Sequence, residues 1–339
     1  MAEGITMARV HELSCAAVIA FYMAMSCSAR ADELSDRLQF WQANPNALLC
    51  DANGPGEVAF PSKQTGEKEQ PCNDGDMTLF NGLLCAAGDK HGCEGVAEAQ
   101  DPTTGQWYRS PRIRIHGNDR GGADFSPDMA LGAELYLIAT KDVVRARRWL
   151  LWLDKEVPCS ISLFGKCAVQ GAPRFCAPEA GCTMRPGDIA ALSATVNFLQ
   201  RTAGLESLPD GRLRGALGTF SGFGPALSDL DSQFNKPGFS QHLTGVTILL
   251  LRMAGSNDAR LDNAAARLVD KNPGNAFFSF LKEGKTDHVK TEVLNRCPDA
   301  HGGSLVMPLN EWQWERPNSD KAWEHSCYWD CIFMAELLR

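Results

Sequence analysis

Asp74-Gly75-Asp76-Met77-Thr78-Leu79-Phe80-Asn81-Gly82-Leu83-Leu84-Cys85 decides how the rest of the chain is read. Two carboxylates flank a glycine, and apolar residues then fall at 77, 80, 83 and 84. That spacing is one stripe of an α-helix, and it leaves Asp74 and Asp76 at the helix mouth. The arrangement recurs. Ser126-Pro127-Asp128 opens a run carrying Met129, Leu131, Leu135, Tyr136 and Ile138, and Arg185-Pro186-Gly187-Asp188 opens Ile189 to Leu199.

Working outward, Ser126 is a suitable cap, Pro127 suits the first helical position and Asp128 opposes the helix dipole. Gly132 and Tyr136 lie one turn apart, which permits close approach of a second helix. Asp142 starts a partner with apolar positions Val143, Ala146, Trp149, Leu150 and Leu153, so 127–154 forms an αα-hairpin. Further helices are expected over 34–43, from Asp188, over 240–253, from Asp258 to Lys271, over 276–281, over 286–296 and over 320–338. Gly88 to Gly95 reads as a turn, 44–72 and 208–225 as loops, and Arg112 to Ile115 as a short strand. Strands are otherwise limited to short pieces in loops.

The N-terminus places Arg9 and His11 before an apolar run from Leu13 to Met25, followed by Ala29-Arg30-Ala31. This is the pattern of a secretory signal peptide over 1–31, and the run is too short to span a bilayer stably. The expected mature chain is 32–339, a single domain of 308 residues with a net charge of −8. An acidic chain does not offer the basic face that nucleic acid requires. Periplasmic or secreted placement makes disulfides the first reading of the eleven remaining cysteines. Close spacing pairs Cys85 with Cys93, Cys159 with Cys167 and Cys176 with Cys182. Cys50 pairs with Cys72, and Cys297 has Cys327 and Cys331 as candidates. The odd count leaves one thiol over. Zinc at His325, Cys327 and Cys331 lacks a fourth ligand, so no metal or cofactor is expected.

The helix starts at Asp76, Asp128, Asp188 and His242 are separated by 52, 60 and 54 residues. Such a period suits one helical hairpin plus a loop, and six units of about 52 residues would fill the mature length. The pattern resembles the (α/α)6 toroid of carbohydrate-active enzymes, and the Asp74–Cys85 segment is similar to an aspartate-bearing segment of family-eight glycoside hydrolases. The resemblance implies an all-α fold with catalytic carboxylates at the mouths of inner helices. The family's acid glutamate has no clear counterpart, Glu57 being the nearest candidate.

Glycoside cleavage needs a proton donor and a second carboxylate. Asp74, Asp76, Asp124 and Asp128 are the candidates, with helix capping as the competing role for each. Trp107, Tyr108, Arg109 and Arg112 form a second cluster. Aromatic faces suit sugar rings, and arginine forks suit carboxylate or sulfate groups. The competing reading is a solvated loop with one aromatic tucked into the core. Trp312 and Trp314 alternate with polar residues and serve as a substrate-lining strand or as buried closure. Gly284-Lys285-Thr286 lacks the upstream glycine of a phosphate loop, and Gly218 to Gly222 lacks the spacing of a serine elbow. The expected function is an exported glycoside hydrolase on an acidic poly- or oligosaccharide. A polysaccharide lyase ranks below it, and a non-catalytic carbohydrate-binding or envelope-assembly protein is the alternative. Alkylation of the exported chain without reductant should leave most cysteines unlabelled. Eleven labelled thiols by intact mass would reject the disulfide framework.

Overall fold

A computed structural model of the chain describes residues 33–45, 47–52, 58–63, 72–118, 124–176, 182–209, 211–299 and 328–339. The signal-peptide segment, Glu57, Trp312, Trp314, His325 and Cys327 lie outside the described residues.

Helices dominate. Helix α1 covers 33–43, and α2 (Met77–Ala87), α3 (Lys90–Glu98) and α4 (Pro111–His116) follow. Next come α5 (Pro127–Thr140), α6 (Val143–Lys155), α7 (Pro186–Ala203), α8 (Arg212–Thr219) and α9 (Gly224–Phe234). The chain continues through α10 (Phe239–Met253), α11 (Ala259–Lys271), α12 (Ala276–Glu283), α13 (Asp287–Arg296) and α14 (Trp329–Leu338). Two antiparallel hairpins accompany them. One pairs β1 (Leu49–Asp51) with β2 (Ala59–Pro61), the other β3 (Cys159–Leu163) with β4 (Lys166–Gln170).

The helices divide by burial. Every residue from Met129 to Ile138 of α5 is buried, as expected of a helix that is apolar on nearly all sides and packed centrally. The outer helices are one-sided. In α11 Leu261, Ala264, Ala265 and Leu268 form a single buried stripe, and Asp258 caps the start by accepting from Arg260 N at 3.0 Å. Helix α6 buries Ala146, Trp149, Leu150 and Leu153, and Asp142 accepts from Arg145 N at 3.0 Å. The expected αα-hairpin is present.

Helix α2 packs on α5, α5 on α7, α7 on α10 and α10 on α12, while α14 packs on α2. Phe277 of α12 meets Phe333 of α14 edge-on, with ring centres 5.6 Å apart. Helix α3 lies on α2, α8 on α7, α11 on α12, and α13 on α12 and α14. The two ends of the chain are tied together. Trp41 Nε1 donates to Pro298 O at 2.8 Å, and Trp329 Nε1 to Leu48 O at 3.0 Å.

Among the described residues five disulfides staple this framework: Cys50–Cys72, Cys85–Cys93, Cys159–Cys167, Cys176–Cys182 and Cys297–Cys331. All five agree with the spacing, and Cys331 is the partner chosen for Cys297. No described helix is long and apolar enough to cross a membrane.

Several local expectations are corrected. Gly88 to Gly95 is not one turn, because Asp89 accepts from Gly92 N at 2.7 Å and starts α3. Its glycines serve packing: a Cβ at Gly92 would lie 2.6 Å from Leu84 Cβ, and one at Gly95 2.9 Å from Phe60 Cβ. Arg112 to Ile115 is helical, since Ser110 accepts from Ile113 N at 3.1 Å and Pro111 occupies the first position. Helix α8 lies within the stretch read as a loop, and the β3–β4 ribbon is the segment that the Cys159–Cys167 bridge closes.

The tightest helix contact joins α2 to α5. A Cβ at Gly132 would lie 2.2 Å from Thr78 O, and one at Gly82 2.3 Å from Gly132 O. Backbone cannot yield as a flexible side chain would, so Gly132→Ala should cost about 1–3 kcal/mol or more through forced separation of the helices. Gly215→Ala in α8, where a Cβ meets nothing within 4 Å, should stabilise by about 0.5–1 kcal/mol. Urea unfolding of both variants checks the contrast, and equal stability would contradict it.

Candidate functional site

The expected acidic rim and the expected arginine loop prove to be partners of each other. Thr78 N donates to Arg109 O at 2.8 Å, and Arg109 N donates to Asp124 O at 2.9 Å, so this loop bridges the starts of α2 and α5. Arg109 Nη1 lies 3.1 Å from Asp76 Oδ1 and also donates to Gly75 O at 3.1 Å. Arg112 Nε is 3.3 Å from Asp74 Oδ2, and Ser110 Oγ donates to Asp74 Oδ1 at 3.0 Å. Asp76 holds the cap position of α2, but its side chain accepts no capping bond from the first turn.

Trp107 is corrected from a sugar-facing ring to a core residue. It is fully buried, it donates from Nε1 to Val96 O at 2.8 Å, and it packs edge-on against Trp149 with ring centres 5.1 Å apart. Its bulk and single donor are satisfied inside. Tyr108 is half-buried, and desolvation, followed by Asp101 and Asp124, raises its phenol above the ordinary value. Asp128 departs from the other three aspartates. It accepts a hydrogen bond from Ser126 Oγ, and its charge acts on Arg185 at the start of α7.

That direction leads to a cavity of about 320 Å3. The first turns of α7 and α10, one side of α9 and Leu131 of α5 enclose it, with Arg185, Asp188, Ser228, Asp231, Asn235 and Thr244 among its lining. Pro186 occupies the first position of α7 and Arg185 is extended ahead of it. Asp188 therefore folds back. Its Oδ2 accepts from Arg185 N at 2.8 Å and from Nε at 2.9 Å, while Oδ1 accepts from Nη2 at 2.9 Å. The Asp188 side chain is 8% exposed and that of Arg185 is 64% exposed. A buried anion thus holds a guanidinium outward in a two-toothed pair. The hydrogen bond with Asp188 comes first among the causes that raise the Arg185 pKa, and the charges of Asp188, Asp128 and Asp231 add to it.

Asp231 sits at the mouth of the cavity on the exposed side of α9. Desolvation first, opposed by Arg185 and reinforced by Asp188, raises its carboxyl above the ordinary 3.8. On α5, three residues after the cavity-lining Leu131, Glu134 is 1% exposed, and neither carboxyl oxygen has a hydrogen-bond partner among the described residues. Burial first and the Asp188 charge second push its pKa well above 4.5, with the Thr195 hydroxyl opposing. The Ser228 Oγ is also buried without a hydrogen-bond partner among the described residues. On α10, burial and then the Lys63 charge lower the His242 pKa to about 3, so that imidazole is neutral.

Sequence reasoning named Asp188 as a helix start and passed over Asp231 and Glu134. Glu134 carried a usable signal: it is the one acid within Met129 to Ile138. Asp231 carried none, since it lies in a polar stretch with no start or stripe around it. The cavity offers a fixed ion pair beside a carboxyl of raised proton affinity, which is equipment for proton transfer to a polar ligand. Among the described residues no group of three His, Cys, Asp or Glu side chains could hold a metal ion. No protein-family model, characterised protein or solved structure matches this chain.

The Glu134 shift fixes the sign of a pH dependence. Below about 4.5 the folded and unfolded chains both hold this proton. Above 4.5 the unfolded chain releases it and the folded chain retains it, so the contribution to stability falls as pH rises towards the folded pKa. Glu134→Gln should remove that slope, at most about 1.4 kcal/mol per pH unit. Urea titrations of both proteins from pH 4.5 upward measure it, and parallel curves would reject a protonated Glu134.

Proposed function

We propose that the chain is an exported glycan-active enzyme, a glycoside hydrolase built as a six-hairpin helical ring, with its working site in the α7–α9–α10 cavity. The observation that carries this reading is the sharing of one cavity by two carboxyls in different surroundings. Asp188 is anchored by Arg185, and Asp231 has a raised proton affinity. Glycoside cleavage requires that asymmetry, with one carboxyl donating a proton to the leaving oxygen and the other remaining an anion. Asp231 is the donor in this scheme, and Asp188 the anion that stabilises positive charge or orients water.

The order of helix contacts from α2 through α5, α7, α10 and α12 to α14 supports the ring, as does the return of α14 onto α2. The disulfides support export to an oxidising compartment, periplasmic or extracellular. The pairing of Arg109 with Asp76 and of Arg112 with Asp74 removes the reason for preferring an acidic polymer. One arginine against two aspartates in the cavity lining favours an uncharged or amino sugar instead.

Reducing-end release from neutral, amino and uronate polysaccharides by the wild type, Asp231→Asn and Asp188→Asn tests the reading. The expected result is release from a neutral or amino polymer, lowered at least about 100-fold in each variant, as loss of acid–base catalysis implies. Glycan binding without release by the wild type would favour the non-catalytic alternative. Release that survives both substitutions would remove the site.

A further inference from the structure

We propose that Glu134 is a positioning residue of the cavity, a carboxylic acid kept un-ionised on α5 so that no anion from the core joins those of Asp188, Asp128 and Asp231 around Arg185. The geometry comes from two helices. On α5, Glu134 follows the cavity-lining Leu131 by three residues, close to the same face. On α7, which packs along α5, Asp188 and Thr195 are seven residues apart and share one face. The Thr195 hydroxyl donates to Ala191 O at 3.1 Å, and its effect on the Glu134 carboxyl is to lower the pKa against burial.

Packing does not account for a carboxyl here, because leucine would occupy the place with no unmatched polar atom. Helix α2 has no charged residue, and His242 of α10 is neutral. The helices packed on α5 carry Arg252 (α10), Lys90, His91, Glu94 and Glu98 (α3), Arg145, Arg147, Arg148, Asp154 and Lys155 (α6), and Arg185 and Arg201 (α7), and among the described residues Asp188 is the charge that raises the Glu134 pKa. Two carboxyls in each other's field do not both ionise readily, and burial decides that Glu134 keeps the proton. Ionisation of Glu134 would add an anion in the field of Asp188, so it gives the cavity an alkaline limit. This consequence rests on the cavity being the working site. The protonation itself does not.

Carboxyl 13C NMR titration of the full exported chain, labelled at aspartate and glutamate, tests the proposal without a substrate. The signal absent from Glu134→Gln should titrate at least one pH unit above the exposed glutamates in the wild type. Asp188→Asn should move that midpoint down and Thr195→Val should move it up. A signal titrating with the exposed glutamates, or a midpoint indifferent to Asp188→Asn, would overturn the inference. If Glu134→Gln fails to fold, the opposite shifts in the other two variants identify the signal. Loss of the glycan reading through absent turnover would leave this result unaffected.

Discussion

The α2–α5 crossing admits no side chain at its centre, because Gly82 and Gly132 bring one helix backbone against the other. Contact at that distance fixes the two helices along their lengths as well as across them. The starts of both are thereby held where the Arg109 loop can bridge them, with its backbone bonded to Thr78 on one side and Asp124 on the other. The crossing also orients α5. At about 100° per residue, Glu134 lies nearly opposite Gly132, so seating the glycine on α2 turns Glu134 and Leu131 towards α7 and the cavity. Dispersion between closely matched backbones is weak per atom but large in sum, and separating the helices would forfeit it together with the bridging bonds.

Periodicity carried much of the fold into the sequence, since a stripe such as Leu261-Ala264-Ala265-Leu268 is local and its cap stands immediately before it. Cysteine spacing did the same for the short disulfide loops. The failures share a cause. Gly92 and Gly95 are weak helix formers, and only the closeness of Leu84 and Phe60 makes them the residues that fit in α3. The Arg112–Ile115 alternation is too short to separate a period of two from one of three to four, and Ser110 decided it through a single capping bond.

Charge was less legible than shape. Asp74 and Asp76 stand more than thirty positions from Arg112 and Arg109, and nothing local reports that a tertiary bridge will bring them together. Read separately, one cluster suggested catalysis and the other an acidic ligand. Read in place, each accounts for the other, and both pairs are partly solvated, where ion pairs contribute little. Trp107 followed a similar course, for an aromatic beside a basic loop is equally suited to a sugar and to a core, and the Val96 carbonyl at its indole nitrogen resolved the choice.

A buried charge carries information that a solvated one does not, because its surroundings must be arranged for it. Asp188 is almost as well hidden as Glu134, yet their treatment differs. Three donors from Arg185 converge on Asp188, whereas neither carboxyl oxygen of Glu134 has a hydrogen-bond partner among the described residues. A carboxylate needs such donors and a carboxylic acid does not, so the hydrogen bonds state which of the two is ionised. Asp231, exposed at the mouth, falls between these limits, its carboxyl raised by desolvation and held back by Arg185. The gradient runs from a buried neutral acid on α5, through a clamped anion in the wall, to an acid of raised proton affinity at the opening. It follows from burial and from the backward fold of one side chain at the start of α7. The Arg185-Pro186-Gly187-Asp188 turn therefore does more than begin a helix: it places the fixed charge against which the other two carboxyls are set.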